Sequence, residues 1–250
     1  MGQPRMELPL FPLHTVLCPG IALPLHIFEE RYRELVRHCI ETESPFGVVL
    51  IREGREVGDG PLAFAAVGTV AEIRQAGRYP DGRYDLLIVG TGRFAVEEVS
   101  VGERPYLIAE ATLLDDEIGD EDEVRRLANH ATRRFARYLE LIQPRDGEKA
   151  DDIDVRVEVA TERIVGEEPS DKDEPPERQV VIPDDPTTLS YLLAGIIQIE
   201  LPLRQVLLEA ETTEERLRQL IVLIDRETFL LRRRLRAFIP GPDSLAPRRS

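Results

Sequence analysis

The sequence predicts an α+β protein in which a β-rich half precedes a helical half. Up to about residue 114, short apolar segments of strand length alternate with Gly and Pro, which is typical of closely spaced antiparallel strands. From residue 121 onward, apolar residues recur every three or four positions, the period of amphipathic helices. The 250 residues are enough to bury a sizeable core. We therefore expect one large domain or two closely packed subdomains.

The opening segment, residues 9–35, predicts two strands followed by a helix. A proline fixes φ and removes a backbone donor, so we expect its neighbours to lie extended along a sheet edge. The prolines of this segment are Pro9, Pro12, Pro19 and Pro24. Gly20 after Pro19 predicts a tight turn in which the glycine takes a positive φ. From Phe28 to Ile40 the apolar residues change to helical spacing, which predicts an amphipathic helix.

Further strands are predicted between residues 46 and 111. The strand-length segments are 46–51, 67–73, 83–89, a stretch that ends near Val101, and 106–111. Pro80-Asp81-Gly82 predicts the turn of a hairpin between two of them. Gly90-Thr91-Gly92 has no third glycine at the spacing of a dinucleotide fingerprint, so it predicts another hairpin turn. Strands spaced this closely predict a closed or nearly closed antiparallel barrel.

The second half carries helix signals at each expected boundary. Helices are predicted over 121–142, over 189–199 and along most of the chain after residue 212. Asp185 is placed to cap a helix whose first turn contains Pro186. Pro202 predicts either a separate helix from residue 203 or a kinked continuation. Thr212 and Glu215 have the spacing of a capping box at the start of the last helix.

An acidic segment interrupts the helical half. Residues 143–186 contain 15 Asp and Glu against 6 Lys and Arg, a composition that predicts mobility from 166 to 178. Ile153, Val155, Val157 and Val159 alternate, so a strand, a helix and disorder all remain open around them. We expect either a solvated insertion or an acidic arm that covers a basic surface until a partner displaces it.

The composition of the chain limits the cellular compartment and the classes of partner that we expect. Cys18 and Cys39 lie in apolar patterns, which predicts two buried thiols in a reducing compartment. No targeting segment and no run of 18 uncharged apolar residues occurs, so we expect a cytoplasmic protein without membrane association. A net charge of −15 opposes the approach of phosphate, and the chain has no Trp for base stacking. Nucleic acid is therefore not an expected partner.

The sequence carries no recognisable catalytic or metal motif. Lys149 and Lys172 are the only lysines, and both lie in the acidic segment, where a desolvated catalytic lysine is implausible. The phosphate-binding motif GxxxxGK[ST] is missing from the sequence. The four histidines do not occur in HExxH spacing, and the two cysteines do not form CxxC. We expect no catalytic residue, no metal and no cofactor.

The opening segment closely resembles the start of the substrate-binding domain of ATP-dependent Lon proteases, a module also found as a stand-alone protein. Both proline triplets, the Pro-Gly turn and the run from His26 to Tyr32 occur in order. The resemblance covers roughly residues 6–114 and 184–227. It implies a PUA-like antiparallel β pseudo-barrel with one or more helices, followed by a C-terminal helical bundle subdomain. The ATPase and peptidase domains of Lon are expected to be absent.

The expected division of the chain follows from this resemblance. Residues 1–114 would form the β-rich subdomain, and 115–240 the helical subdomain with the acidic, partly mobile insertion at 143–183. Residues 241–250 would form a flexible tail.

The resemblance implies a non-catalytic module that binds unfolded or extended polypeptide, or a protein partner. The expected site is an apolar cleft where the barrel meets the helices, with strand addition at a proline-marked edge. Its candidate walls, which would otherwise be ordinary core residues, are Phe11, Leu25, Phe28, Tyr32 and Phe94.

Two alternatives belong to other functional classes. One is a small-molecule-responsive adaptor, by remote analogy with the Lon-like region of eukaryotic cereblon. The other is a homo-oligomeric assembly protein, because the last helix carries apolar residues away from its main stripe. Those residues are Val222, Leu223, Phe229 and Leu230. We expect a monomer or a weak homodimer.

Overall fold

The computed structural model describes residues 5–53, 63–101, 104–142 and 182–238. The strands are β1 Arg5–Leu13, β2 Ala22–Ile27, β3 Phe46–Glu53, β4 Ala63–Phe64, β5 Val67–Arg78, β6 Tyr84–Val101 and β7 Leu107–Leu114. The helices are α1 Glu30–Thr42, α2 Glu121–Ile142, α3 Pro186–Ile196, α4 Leu201–Glu209 and α5 Thr213–Phe238. The α+β class is confirmed. The predictions for 143–181 and for the tail fall outside the described residues, and the division near residue 114 stays a prediction.

Five of the strands close into a barrel. Hydrogen bonding runs in the order β1, β7, β6, β5, β3, and β3 returns to β1 to complete the ring. The closing pair is parallel, from Leu10 opposite Gly47 to Leu13 opposite Leu50, whereas the other pairs of the ring are antiparallel. β2 pairs with β6 outside the ring, and the short strand β4 pairs with the end of β3. The predicted antiparallel barrel is thus correct except for its parallel closure.

The first strand lies inside the ring, whereas its prolines predicted a sheet edge. β1 pairs with β7 over residues 5–9 and with β3 over residues 10–13. Pro9 therefore lies in the part paired only with β7 and Pro12 in the part paired only with β3. Each part has one side without a partner among the described strands, and a missing donor costs little on such a side. The prediction is correct for β2, which contains Pro24 and pairs only with β6 among the described strands.

The Gly90-Thr91-Gly92 segment is not a turn but lies within the 18-residue strand β6. The ladder with β5 shifts here, from Val70 opposite Gly92 to Ala71 opposite Gly90, so Thr91 forms a β-bulge. A Cβ at Gly90 would lie 2.6 Å from the carbonyl oxygen of Cys18. The glycine therefore marks a close approach between β6 and the turn before β2. In that turn Gly20 takes the expected positive φ, 78°.

Helix α1 covers one side of the barrel and begins two residues later than its spacing predicted. Its buried residues are Tyr32, Leu35, Val36 and Cys39. They pack in one cluster with the inner residues of β2 and β6. Phe28, expected on the apolar stripe of the helix, precedes it and is 57% exposed. Ile40, at the other end of that stripe, is 42% exposed.

The boundaries of the later helices follow their local signals. The Asp185 side chain accepts a hydrogen bond of 2.7 Å from the backbone N–H of Thr188, which caps α3. Pro202 lies in the first turn of α4, which is a separate helix. The N–H of Glu215 donates to the Thr212 hydroxyl at 3.1 Å, as predicted for a capping box. The Glu215 carboxylate accepts from the N–H of Glu211 at 3.3 Å.

One hydrophobic core joins the barrel to helices α2 to α5. The barrel contributes Leu8, Phe94 and Ala109, and the helices contribute Phe135, Leu193 and Leu217 among others. Each of these side chains is at most 3% exposed. The helical half therefore packs directly on the barrel.

A buried ionic cluster lies at the same junction and consists of Arg93, Asp116, Tyr191 and Arg216. Arg93 and Arg216 are 3% and 0% exposed. Nη2 of Arg93 lies 2.8 Å from Oδ1 of Asp116, and Nη2 of Arg216 lies 3.4 Å from the same oxygen. The Tyr191 hydroxyl also donates to this oxygen, and the Arg216 guanidinium lies 3.9 Å from the Tyr191 ring centre. We call this group the Asp116 cluster.

The Asp116 cluster links strand to helix through backbone carbonyls as well. Nη1 of Arg93, on β6, donates to the carbonyls of Leu208 at 3.0 Å and Ala210 at 2.7 Å. Nε of Arg216, on α5, donates to the carbonyl of Leu207 at 3.0 Å. These carbonyls belong to the last turn of α4, where no later turn of the helix can satisfy them. The two arginines therefore stabilise the end of α4 against the barrel.

Both cysteines are free and buried, as the sequence predicted. Burial raises the pKa of the Cys18 thiol to about 11 and that of Cys39 also to about 11. Since the thiolate is the reactive form, we expect neither cysteine of the native protein to react appreciably with a thiol-specific reagent at pH 8. Absorbance-based titration should detect both thiols once denaturant is added. Rapid labelling of a native thiol would contradict the buried positions.

A candidate polypeptide-binding cleft

A cleft of about 180 Å³ opens between β1, β2 and the start of α1. We call it the β2 cleft. Four of the five candidate residues predicted from the sequence line it, namely Phe11, Leu25, Phe28 and Tyr32. Every residue of its lining comes from β1, β2, the segment between β2 and α1, or the first turn of α1. The expected position was the junction of barrel and helices; the cleft lies at the junction with α1 and away from the later helices.

The floor of the β2 cleft is aromatic and tightly packed. Phe11 and Tyr32 are each 4% exposed, and their ring centres lie 4.2 Å apart. The ring of Phe46, which does not line the cleft, lies 6.1 Å from that of Phe11 between ring centres. The Arg31 guanidinium lies 4.5 Å from the centre of the Tyr32 ring. The floor is therefore held in place by contacts that do not depend on a ligand.

Phe28 forms the exposed rim of the cleft. Its ring stacks beside the His26 ring, with centres 6.3 Å apart and planes 27° apart. A large apolar side chain that remains 57% exposed keeps more than half of its contact with water on folding, so it contributes less to folding stability than a fully buried ring does. Leu25, on β2, is half-buried and completes the apolar lining. The rim can therefore gain apolar burial from a bound group.

Phe94 is not part of the cleft. It is 0% exposed and lies inside the barrel, where it packs against Gly47 and Gly68. Those two glycines leave the room that its ring fills. Nothing in the local pattern around residue 94 distinguished a ring inside the barrel from one in a surface cleft.

A polar group beside the rim was not predicted from the sequence. Nδ1 of His26 lies 2.6 Å from Oδ1 of Asp85, and the Tyr79 hydroxyl donates to Oδ2 of Asp85 at 2.5 Å. The hydrogen bonds from His26 and then from Tyr79 lower the pKa of Asp85 from its ordinary value. The bond to Asp85 raises the pKa of Tyr79. Asp85 thus acts as a carboxylate that orients the imidazole of His26 next to Phe28.

The arrangement suits binding of an apolar side chain. It combines an ordered aromatic floor, an exposed aromatic rim and a few oriented polar groups, which are the usual parts of a binding pocket. In the described parts of the chain, no group of three or more His, Cys, Asp or Glu residues is placed to hold a metal ion. None of the described helices is long and apolar enough to cross a membrane.

Comparison with known proteins identifies relatives. The family model for the ATP-dependent protease La (LON) substrate-binding domain matches residues 7–226. The Lon protease of Anaeromyxobacter dehalogenans is 32% identical over 137 residues, which are 54% of this chain and 16% of that protein. The Lon protease of Escherichia coli K12 is 25% identical over 230 residues, 91% of this chain and 26% of that protein. The chain thus corresponds to about a quarter or less of these relatives' length.

Two solved structures share the fold. The Lon N-terminal domain protein from Xanthomonas campestris superposes with a TM-score of 0.57 at 27% identity, over 87% of this chain and 98% of that one. The N-terminal domain of the Lon protease from the Mycobacterium avium complex gives a TM-score of 0.57 at 17% identity, over 88% and 98% of the two chains. Since the family model also matches most of the chain, the protein belongs to the Lon substrate-binding domain family.

Proposed function

We propose that the protein binds unfolded or extended polypeptide segments through the β2 cleft, as a recognition module without catalytic activity of its own. The observation that carries the proposal is the convergence of four aromatic or apolar residues, from β1, β2, α1 and the segment between β2 and α1, on one surface cleft. Exposed apolar groups next to such a cleft are typical of interaction sites. The family's substrate-binding description supports polypeptide as the ligand, because the substrate of a protease is a polypeptide.

The size of the β2 cleft sets the expected affinity. Its volume of about 180 Å³ corresponds to roughly six water molecules, which is room for about one large side chain. Burying one Leu or Phe side chain contributes about 1.5–3 kcal/mol. One such anchor gives weak binding that tolerates many sequences, which suits recognition of unfolded chains.

The buried free thiols are compatible with a reducing compartment, and we propose that the protein functions in the cytoplasm.

Replacing the rim residue, Phe28→Ser, tests the proposal. We expect about tenfold weaker binding of peptides with an apolar anchor, as lost burial of about 1.4 kcal/mol implies. Because Phe28 is exposed, unfolding free energy should change by no more than about 0.5 kcal/mol. A peptide array should identify the bound segments, and fluorescence anisotropy should measure their affinity.

A matched control exists on α5, which contributes no residue to the lining of the β2 cleft. Phe229, on α5, is 62% exposed, so Phe229→Ser removes a comparable ring without touching the β2 cleft. This variant should bind peptides like the unmodified protein. Equal loss in both variants would show that binding is unspecific, and an array without enrichment of apolar segments would refute the proposed function.

Self-association is the second candidate function. Val222 and Phe229 are 67% and 62% exposed on α5, and Leu230 is 38% exposed. An apolar helix face of this kind is a common feature of weak dimers. Light scattering across a range of concentrations separates a monomer from a weak homodimer, and Phe229→Ser should shift any such equilibrium towards the monomer.

A further inference from the structure

His26 is held in one orientation at the side of the β2 cleft. Its side chain belongs to the lining, whereas that of its partner Asp85 does not. The two residues lie directly opposite each other in the ladder of β2 and β6, and Nδ1 of His26 lies 2.6 Å from Oδ1 of Asp85. The Tyr79 hydroxyl donates to the second carboxylate oxygen, and the Phe28 ring stacks beside the imidazole. The imidazole is therefore fixed by contacts on two sides.

The hydrogen bond to Asp85 determines which nitrogen of His26 carries the proton. Asp85 is ionised near neutral pH, since the bonds from His26 and Tyr79 lower its pKa below the ordinary value. An ionised carboxylate can only accept hydrogen bonds, so Nδ1 of His26 must be the donor. A neutral imidazole has one N–H, so its Nε2 keeps a free lone pair that can accept a hydrogen bond.

Nε2 of His26 is accessible to a group bound in the cleft. The two nitrogens lie on opposite edges of the ring, so Nε2 lies on the edge away from Asp85 and β6. Among the described strands β2 pairs with β6 alone, so no described strand covers that side. In the described part of the chain Asp85 is the hydrogen-bond partner of the ring, and the His26 side chain is 47% exposed. A donor on a bound segment can therefore reach Nε2.

Asp85 supplies the uncompensated charge next to the imidazole among the described residues on this face. Arg78 lies opposite Tyr84, one residue along from Asp85, and so belongs to the other face of the sheet. The Tyr79 hydroxyl is uncharged, because its bond to Asp85 raises its pKa. The neighbouring segments carry ion pairs that are each neutral as a whole, namely Glu29 with Arg31, Glu30 with Arg33 and Asp81 with Arg83. With a neutral imidazole, the surroundings of Nε2 therefore carry one negative charge, which favours donors and cations over carboxylates.

A histidine can reverse this preference within the physiological range of pH. Imidazole takes up a proton between about pH 5 and pH 8. The imidazolium then donates from both nitrogens and balances the charge of Asp85, so Nε2 changes from an acceptor into a donor. We propose that His26 selects the residue beside the apolar anchor in the β2 cleft: a hydrogen-bond donor at neutral to weakly basic pH, and an acceptor such as a carboxylate in acid. This inference rests on the function proposed above and adds a specificity-determining residue to it.

Three peptides test this selection. Each carries one phenylalanine anchor flanked on both sides by two lysines, two aspartates or two alanines, so that both faces of an extended peptide are covered. Fluorescence anisotropy measures their affinity at about pH 8 and about pH 5, where the aspartates of the peptide stay ionised. We expect the ratio of affinities, lysine peptide over aspartate peptide, to be at least about threefold higher at pH 8 than at pH 5, as one hydrogen bond implies.

His26→Gln and His26→Asn separate the two nitrogens. The glutamine amide reaches the position of Nε2 and the asparagine amide that of Nδ1, and neither side chain titrates. Both variants should lose the threefold change of the ratio with pH. Because every other titrating group is kept, the difference from the unmodified protein belongs to His26. The matched control is His130→Asn, at an exposed position on α2, which should keep the full change.

The outcomes separate this inference from the function on which it rests. A ratio that falls from pH 8 to pH 5 in the unmodified protein and in His130→Asn, but not in the His26 variants, would support selection by His26. The same pH-dependent ratio in all proteins would overturn it, and so would nitrogen-15 NMR that places the proton of the neutral ring on Nε2. Failure of all three peptides to bind at either pH would refute the proposed polypeptide binding, and this inference with it.

Discussion

Asp116→Asn is expected to lower the free energy of unfolding by about 3 kcal/mol. The substitution keeps the shape of the side chain but removes the charge that faces Arg93 and Arg216, which are 3% and 0% exposed. Removing one partner of a buried ion pair costs about 3–5 kcal/mol, because the other charge stays buried without compensation. We expect the lower end of this range because the Asp116 side chain is 27% exposed, so water can partly solvate the two arginines once the carboxylate charge is lost. Urea denaturation followed by circular dichroism measures the change.

Asp225→Asn is the matched control. Asp225 pairs with Arg134 at 2.9 Å on the surface, where the two side chains are 54% and 36% exposed. Exposed pairs contribute about 0–1 kcal/mol, so this variant should unfold almost like the unmodified protein. If Asp116→Asn were as stable as Asp225→Asn, the cluster would not hold α4 and α5 against the barrel.

The fold was predictable where the signal is local. Helical period, the Asp185 cap, the break at Pro202 and the Thr212 capping box act within a few residues, and the structure shows each of them. Strand partners depend on residues far apart in the chain. β1 therefore lies inside the ring against expectation. Strand β6 requires a glycine at position 90 because the backbone of Cys18 lies so close to it. The local sequence around Gly90 would look the same in a hairpin turn, so it could not distinguish the two cases.

The lining of the candidate site, the β2 cleft, was predictable to a similar extent. Phe11, Leu25, Phe28 and Tyr32 lie close together in sequence, and the turn and helix between them bring them to one cleft. Asp85 reaches His26 only because β2 and β6 pair in one register, which no local pattern encodes. In the Asp116 cluster, Asp116 meets Arg216 from 100 positions further along the chain, and arginine and aspartate are frequent throughout the sequence.

Phe94→Ala is expected to cost about 3–5 kcal/mol of unfolding free energy without changing peptide affinity. Its ring is 0% exposed and fills the space beside Gly47 and Gly68, so truncation removes buried apolar surface and leaves a cavity. Urea denaturation measures the first effect, and anisotropy at a temperature where the variant is folded measures the second. Weaker peptide binding by a fully folded variant would instead show that Phe94 takes part in peptide binding.

Gly47 and Gly68 closely limit the space around the Phe94 ring. The three atoms nearest to a Cβ at Gly47 all belong to side chains, the nearest being Cζ of Phe94 at 2.6 Å, so Gly47→Ala should cost about 1–3 kcal/mol. Phe94→Leu should recover part of that loss in the double variant, because a shorter side chain removes the nearest clash. A Cβ at Gly68 would also lie 2.7 Å from the carbonyl oxygen of Val48, which belongs to the backbone. Phe94→Leu should therefore rescue Gly47→Ala more than Gly68→Ala, and equal rescue would mean that the barrel backbone adjusts freely around residue 94.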